Sequence, residues 1–131
     1  MKILVVDDSN TIRNILTDIL SPYGLCDTAK NGLEALWLFK KAWQQKNPYD
    51  LVCLDIVMPE MNGHEVLKLI RSFEVDNNIQ GDKRAKIIMV SSQDDHRNKF
   101  DAFKEFCDDY VTKPIVPEKL LFKIRKCDLI A

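Results

Sequence analysis

Ile3-Leu4-Val5-Val6-Asp7-Asp8 begins with four consecutive apolar residues and stops at two acids. A run that is apolar at every position, without alternation, suits a strand buried on both faces, and such strands belong to parallel sheets. The same shape returns at Asp50-Leu51-Val52-Cys53-Leu54-Asp55, again ending in an acid. It returns once more at Ile87-Ile88-Met89-Val90, which ends at Ser91-Ser92. Leu25 to Ala29 is a weaker strand, and Tyr110-Val111-Thr112 a short one that runs into Lys113-Pro114.

Between these runs the apolar residues take helical spacing. Ser9 or Asn10 can cap a helix on which Ile12, Ile15, Leu16, Ile19 and Leu20 share a face, and Pro22 and Gly24 mark its end. Residues 32–46 form a helix with a broad apolar surface: Leu33, Leu36, Trp37, Phe39 and Trp43. Pro59 and Gly63 punctuate the loop before a helix over 64–73, which carries Val66, Leu67, Ile70 and Phe73. Residues 74–84 are polar, include Asn77-Asn78 and Gly81, and read as an exposed loop. Asp94 can cap a helix to about residue 105 with Phe100 and Phe103 inward, and Pro117 opens a last helix bearing Leu120, Leu121, Ile124 and Cys127. Strand and helix alternate five times, which predicts an α/β fold: one doubly wound, five-stranded parallel sheet with helices on both faces, in a single domain over 1–131.

Bulk composition narrows the function classes. The chain has 131 residues, 46% hydrophobic and 30% charged, which suits one domain with a true core and argues against disorder. A net charge of −1, with the signs mixed along the chain, gives no field to draw nucleic acid or acidic lipid. No apolar run approaches the roughly 20 residues that cross a bilayer, and the first residues lack the pattern of a signal peptide, so a cytoplasmic protein is expected. Cys26, Cys53, Cys107 and Cys127 are far apart and read as reduced, mostly buried thiols.

In an open parallel sheet the reactive crevice lies at the carboxyl ends of the strands. Asp7, Asp8, Asp55, Ser91 and Lys113 all fall there. Three clustered carboxylates repel one another, and a bound Mg2+ offsets that cost while accepting carboxylate, water and phosphate oxygens. An aspartate beside such an ion can attack a phosphoryl group and become an acyl phosphate. The Ser91 hydroxyl can donate to a phosphoryl oxygen, and the Lys113 ammonium can pair with another.

From Lys2 to about Lys126 the chain resembles the response-regulator receiver domain of bacterial two-component signalling, and in particular its stand-alone chemotaxis type. The residues that carry the resemblance are Val5-Val6-Asp7-Asp8-Ser9, Leu54-Asp55-Ile56-Val57-Met58-Pro59, Asn62-Gly63, Val90-Ser91-Ser92 and Tyr110-Val111-Thr112-Lys113-Pro114. The resemblance implies a flavodoxin-like fold and a phosphoprotein that accepts its phosphoryl group on Asp55 from a histidine kinase or phosphotransfer protein. It makes Asp8 a direct Mg2+ ligand, Asp7 a ligand through water, and the Val57 carbonyl the remaining protein ligand. Ser91 becomes the hydroxyl that moves on activation, Tyr110 the aromatic that changes rotamer with it, and Lys113 the phosphate-pairing lysine. The peptide before Pro114 is expected to be cis. The side chains of Val57 and Gln93 flank the path of the hydrolytic water and tune dephosphorylation. The partner face is the 95–130 region, for a downstream protein that the sequence does not identify. No nucleic-acid or membrane partner is expected, nor any enzymatic turnover beyond the domain's own phosphorylation and dephosphorylation. No output domain follows residue 130, so the downstream target is expected to be a separate protein.

Blander roles exist for each residue alone. Asp7-Asp8 could be only a cap, Ser91-Ser92 a strand-end cap, Lys113-Pro114 a turn, and Tyr110 a half-buried strand residue. His64 and His96 read as exposed helix residues, and Trp37 and Trp43 as packing residues. Two other chemistries share the architecture. A flavodoxin-like cofactor binder needs a Ser/Thr/Gly-rich loop where Asp7-Asp8 stands. An aspartate-nucleophile phosphatase of the haloacid-dehalogenase type needs a second Asp where Val57 stands.

Overall fold

The computed structural model describes residues 1–92 and 106–131. In order along the chain come β1 (Lys2–Val6), α1 (Asn10–Leu20), β2 (Leu25–Ala29), α2 (Gly32–Gln44), β3 (Leu51–Asp55), α3 (Gly63–Asp76), β4 (Lys86–Ser91), β5 (Asp109–Thr112) and α4 (Pro117–Lys126). Short 3-10 turns occupy Ser21–Tyr23 and Gly81–Lys83. The five strands form one sheet, all parallel, in the order β2-β1-β3-β4-β5.

Strand alternation sorts the core into two layers. Leu4, Val6, Val52, Leu54, Ile87 and Met89 face one side, against Ala35, Leu36 and Phe39 of α2 and Val66, Leu67 and Ile70 of α3. Ile3, Val5, Leu51, Cys53, Ile88 and Val90 face the other, against Leu16 and Leu20 of α1 and Leu120 and Ile124 of α4. The unbroken apolar runs are thus explained, since each residue of the central strands is covered by a helix on one side or the other. Helices α1, α2 and α3 start where side chains satisfy their free amides, and α4 starts at Pro117, which has no amide N–H to satisfy. Ser9 Oγ accepts from the Ile12 N–H, Asn31 Oδ1 from Glu34 and Asn62 Oδ1 from Glu65.

Four expectations need correction. Residues 74–84 are not simply a loop: α3 continues to Asp76, Ile79 is buried, and Glu74 is only 1% exposed. The Arg71 guanidinium explains why an acid can be buried there. It donates to Glu74 Oε1 at 2.7 Å, the Ala85 carbonyl at 2.8 Å, the Phe106 carbonyl at 2.7 Å and Asp108 Oδ2 at 3.0 Å. Glu74 Oε2 in turn accepts the Ala85 N–H, and Asp108 Oδ2 the Ile87 N–H. His64, in the first turn of α3, is buried rather than exposed. Leu33 and Trp37 face solvent, the latter with the Lys41 ammonium 4.5 Å from its ring, whereas Trp43 packs on the core. Of the cysteines only Cys53 is fully buried. The helix expected over 94–105, with His96, and the residue Gln93 lie outside the described residues.

Candidate functional site

The sheet's pairing assembles the site from segments far apart in sequence. Val6 pairs with Leu54, so Asp7 and Asp55 are the next residues of neighbouring strands. Asp55 pairs with Val90, and Ser91 with Thr112. Three backbone bonds prolong this order past the strand ends. The Asp7 N–H donates to the Ala29 carbonyl at 3.1 Å, Ile56 to Val90 at 3.1 Å, and Lys113 to Ser91 at 2.7 Å. Asp7, Asp55, Ser91 and Lys113 are therefore set by the sheet itself. Strand order reverses between β1 and β3, and the crevice of a parallel sheet opens at that point.

Asp7, Asp8 and Asp55 each offer a carboxylate oxygen, and these oxygens lie within 4.8 Å of one another. Asp7 and Asp55 are buried and Asp8 is exposed. The Lys113 ammonium stands 3.2 Å from Asp55 Oδ1 and 3.3 Å from Asp7 Oδ2. One cation against three carboxylates leaves the cluster negative. Burial, then the Asp7 charge, raises the Asp55 carboxyl from 3.8 to about 7, although Lys113 pulls against the shift. Burial likewise raises Asp7, against the Ser9 N–H bond and Lys113. Lys113 is raised too: its own burial works against the charge, and Asp55 and Asp7 together overcome it.

Among the described residues, Asp55 Oδ2 and Ser91 Oγ are buried without a hydrogen-bond partner, and Asp7 Oδ2 is met only by the Lys113 ammonium at 3.3 Å. Acceptor atoms buried without donors are costly unless a cation or donor ligand meets them. Carboxylate oxygens open to a common point are the donor set of a hard divalent ion, so these residues fit Mg2+.

The α3 N-terminus closes one wall. The Gly63 N–H donates to the Ile56 carbonyl at 2.7 Å, and a β-carbon on Gly63 would overlap the Asp55 carbonyl. Sequence reasoning treated Gly63 as punctuation. Its structural role is the close approach of α3 to the end of β3, which a side chain would forbid. The Val57 side chain is 56% exposed and so does not serve the core. Tyr110 pairs with Met89 and Thr112 with Ser91, so Tyr110 lies on the same face of the sheet as Ser91 and diagonal to it. Tyr110 is half-buried, and the Lys113–Pro114 peptide is cis, as expected.

Comparison with known proteins agrees with this geometry. The family model described as response regulator receiver domain matches residues 3–125. The chemotaxis protein CheY of Listeria monocytogenes is 34% identical over 128 residues, covering 96% of this chain and 97% of that protein. The probable transcriptional regulator ycf27 of Guillardia theta is 38% identical over 125 residues, covering 95% of this chain, but the chain spans only 44% of that relative's length. Among solved structures, the response regulator protein TrrA of Thermotoga maritima, in complex with Mg2+ and BeF, superposes with a TM-score of 0.74 at 38% identity, covering 98% of each chain. The receiver domain of Ssk1 from Saccharomyces cerevisiae, crystallised with the histidine phosphotransfer protein Ypd1, superposes with a TM-score of 0.79 at 28% identity, covering 96% of this chain and 87% of that one.

Proposed function

The chain belongs to the response regulator receiver domain family, the phosphoaccepting module of two-component signalling, and from that membership we propose that Asp55 is its phosphorylation site. The observation that carries this reading is the grouping of Asp55 with Asp7, Asp8 and Lys113 at the switch point of the sheet. The whole of residues 1–131 acts as one receiver domain.

Asp7, Asp8 and Asp55, whose carboxylate oxygens cluster, would hold Mg2+ together with the Val57 carbonyl. The ion, when bound, screens the repulsion between the Asp55 carboxylate and an anionic donor. An Asp55 oxygen attacks phosphorus, the bond to the donor group breaks, and the leaving group departs with the electron pair. Lys113 then pairs with one phosphoryl oxygen and the Ser91 hydroxyl donates to another. The Lys113 ammonium already stands 3.2 Å from Asp55 Oδ1 and needs little reorganisation, whereas the Ser91 hydroxyl, at the end of the next strand, moves toward the phosphoryl group. The domain thereby assists its own phosphorylation and dephosphorylation, with no turnover of another substrate. As Ser91 is drawn toward the phosphoryl group, Tyr110, on the same face, moves into the space beside it. Val57 flanks the route of the hydrolytic water, and the part expected of Gln93 falls outside the described residues. The donor is a histidine kinase or a phosphotransfer protein, in keeping with the Ssk1 complex. The surface that changes is the 95–130 face, which is where a downstream protein docks.

No helix among the described residues is long and apolar enough to cross a membrane. A phosphatase reading is weaker, because Val57 stands where a second catalytic acid is needed. A flavodoxin-like cofactor reading is weaker too, because Asp7 and Asp8 oppose a ligand phosphate directly. Incubation with acetyl phosphate and Mg2+ tests the proposal. Intact-mass analysis is expected to register one added phosphoryl group on wild type and none on Asp55→Asn. Equal labelling of the variant overturns the assignment.

A further inference from the structure

Asp8 is the exposed member of the acid cluster, so packing does not fix its side chain. Its direction is set by the two peptide groups on either side of its α-carbon. The peptide between Asp8 and Ser9 is held by its N–H, which donates to Asp7 Oδ1 at 2.9 Å. The peptide between Asp7 and Asp8 is held by its carbonyl, which accepts from Arg13 Nη1 at 2.7 Å. The other arm of the same guanidinium donates to Asn10 Oδ1 at 3.2 Å. Arg13 itself is fixed in the helix that follows, where its N–H donates to the Ser9 carbonyl at 3.0 Å.

We propose that Arg13 is a positioning residue for the metal site: its forked guanidinium pins the Asp7–Asp8 peptide and so aims the Asp8 carboxylate at the ion. This inference rests on the Mg2+ reading given above. A planar fork bridges two acceptors at fixed angles, which a lysine cannot reproduce with one ammonium. Without it, the 7–8 peptide is free to rotate while Asp7 stays anchored by Ala29, Ser9 and Lys113. The loss then falls on Asp8 and leaves the rest of the site in place. Groups that orient a ligand without touching the metal set its affinity in just this way.

Calorimetric titration of MgCl2 into metal-free protein tests the inference, with wild type, Arg13→Met and Arg13→Lys compared at a temperature where urea unfolding in EDTA finds all three folded. Arg13→Met is expected to bind Mg2+ about tenfold more weakly. Arg13→Lys, which keeps the charge and loses the fork, is expected to fall between the two, and it carries the test alone if Arg13→Met does not fold. With acetyl phosphate, the half-saturating Mg2+ concentration rises in parallel, while the plateau rate at saturating Mg2+ changes far less. A change confined to stability, or to the plateau rate, overturns the proposal. So does wild-type affinity in Arg13→Met, or full recovery in Arg13→Lys, which would show that a single donor suffices and the fork is not needed. Wild-type protein that takes up no Mg2+ overturns the metal reading as well, so the two failures are distinguishable.

Discussion

Gly63 and Asp55 are in direct backbone contact: no β-carbon can be placed on Gly63 without overlapping the Asp55 carbonyl. The Asp55 main chain is thus braced by the start of α3. Gly63→Ala is expected to cost about 1–3 kcal/mol, the usual range for a group forced into a filled space. It should also slow phosphorylation, because relief of the overlap moves Asp55. Urea unfolding and the acetyl phosphate reaction measure the two effects. Wild-type values for both would show that the contact yields without consequence.

The acid cluster predicts a pH dependence in the metal-free protein. The Asp55 carboxyl is raised from 3.8 to about 7, so its contribution to stability is fully present below 3.8 and is lost as pH rises through about 7. In EDTA, Asp55→Asn removes this loss. The variant is therefore expected to melt above wild type at about pH 8, with the margin shrinking as pH falls toward about 4. Saturating Mg2+ should reduce the margin as well. A margin independent of pH would refute the electrostatic account.

A third expectation concerns the lifetime of the acyl phosphate. Val57 is 56% exposed, so its apolar surface is not used in the core. It cannot orient a water by hydrogen bonding. Val57→Asn is expected to speed loss of the phosphoryl group several-fold without changing the residue labelled. Decay followed after donor removal, at constant Mg2+, measures it, and a rate equal to or below that of wild type counts against the role.

The switch can be followed through Ser91 and Tyr110, which share a face of the sheet. Addition of beryllofluoride and Mg2+ is expected to shift the amide resonances of β5 and α4 as well as those at the strand ends. Ser91→Ala should weaken the shifts at β5 while Mg2+ binding persists. Shifts confined to α1 and α2 would contradict a switch on this side of the sheet.

Much of this was legible in the sequence, because buried parallel strands have no alternation to obscure them and the reactive residues follow directly after their ends. The Ile3–Val6 and Leu51–Leu54 runs carried both the fold and the place of Asp7 and Asp55. What escaped depends on contacts between distant residues. Glu74 is buried because the Arg71 guanidinium and the Ala85 N–H satisfy it, and Arg71 is itself fixed by Phe106 and Asp108, partners too far along the chain for local periodicity to encode. Leu33 and Trp37 are apolar yet exposed, since the core side of α2 is filled by Ala35, Leu36 and Phe39. The grip of Arg13 on the Asp7 carbonyl depends on the turn geometry, which the sequence pattern does not express.

The Arg71 network ties α3 to the beginnings of β4 and β5, at the end of the sheet away from the acids. Those two strands are riveted where they start, while their far tips carry Ser91 and Thr112. A push delivered at the tips is therefore expected to act as on two levers sharing a fulcrum, with travel greatest beside the acids and least where Arg71 holds the strands.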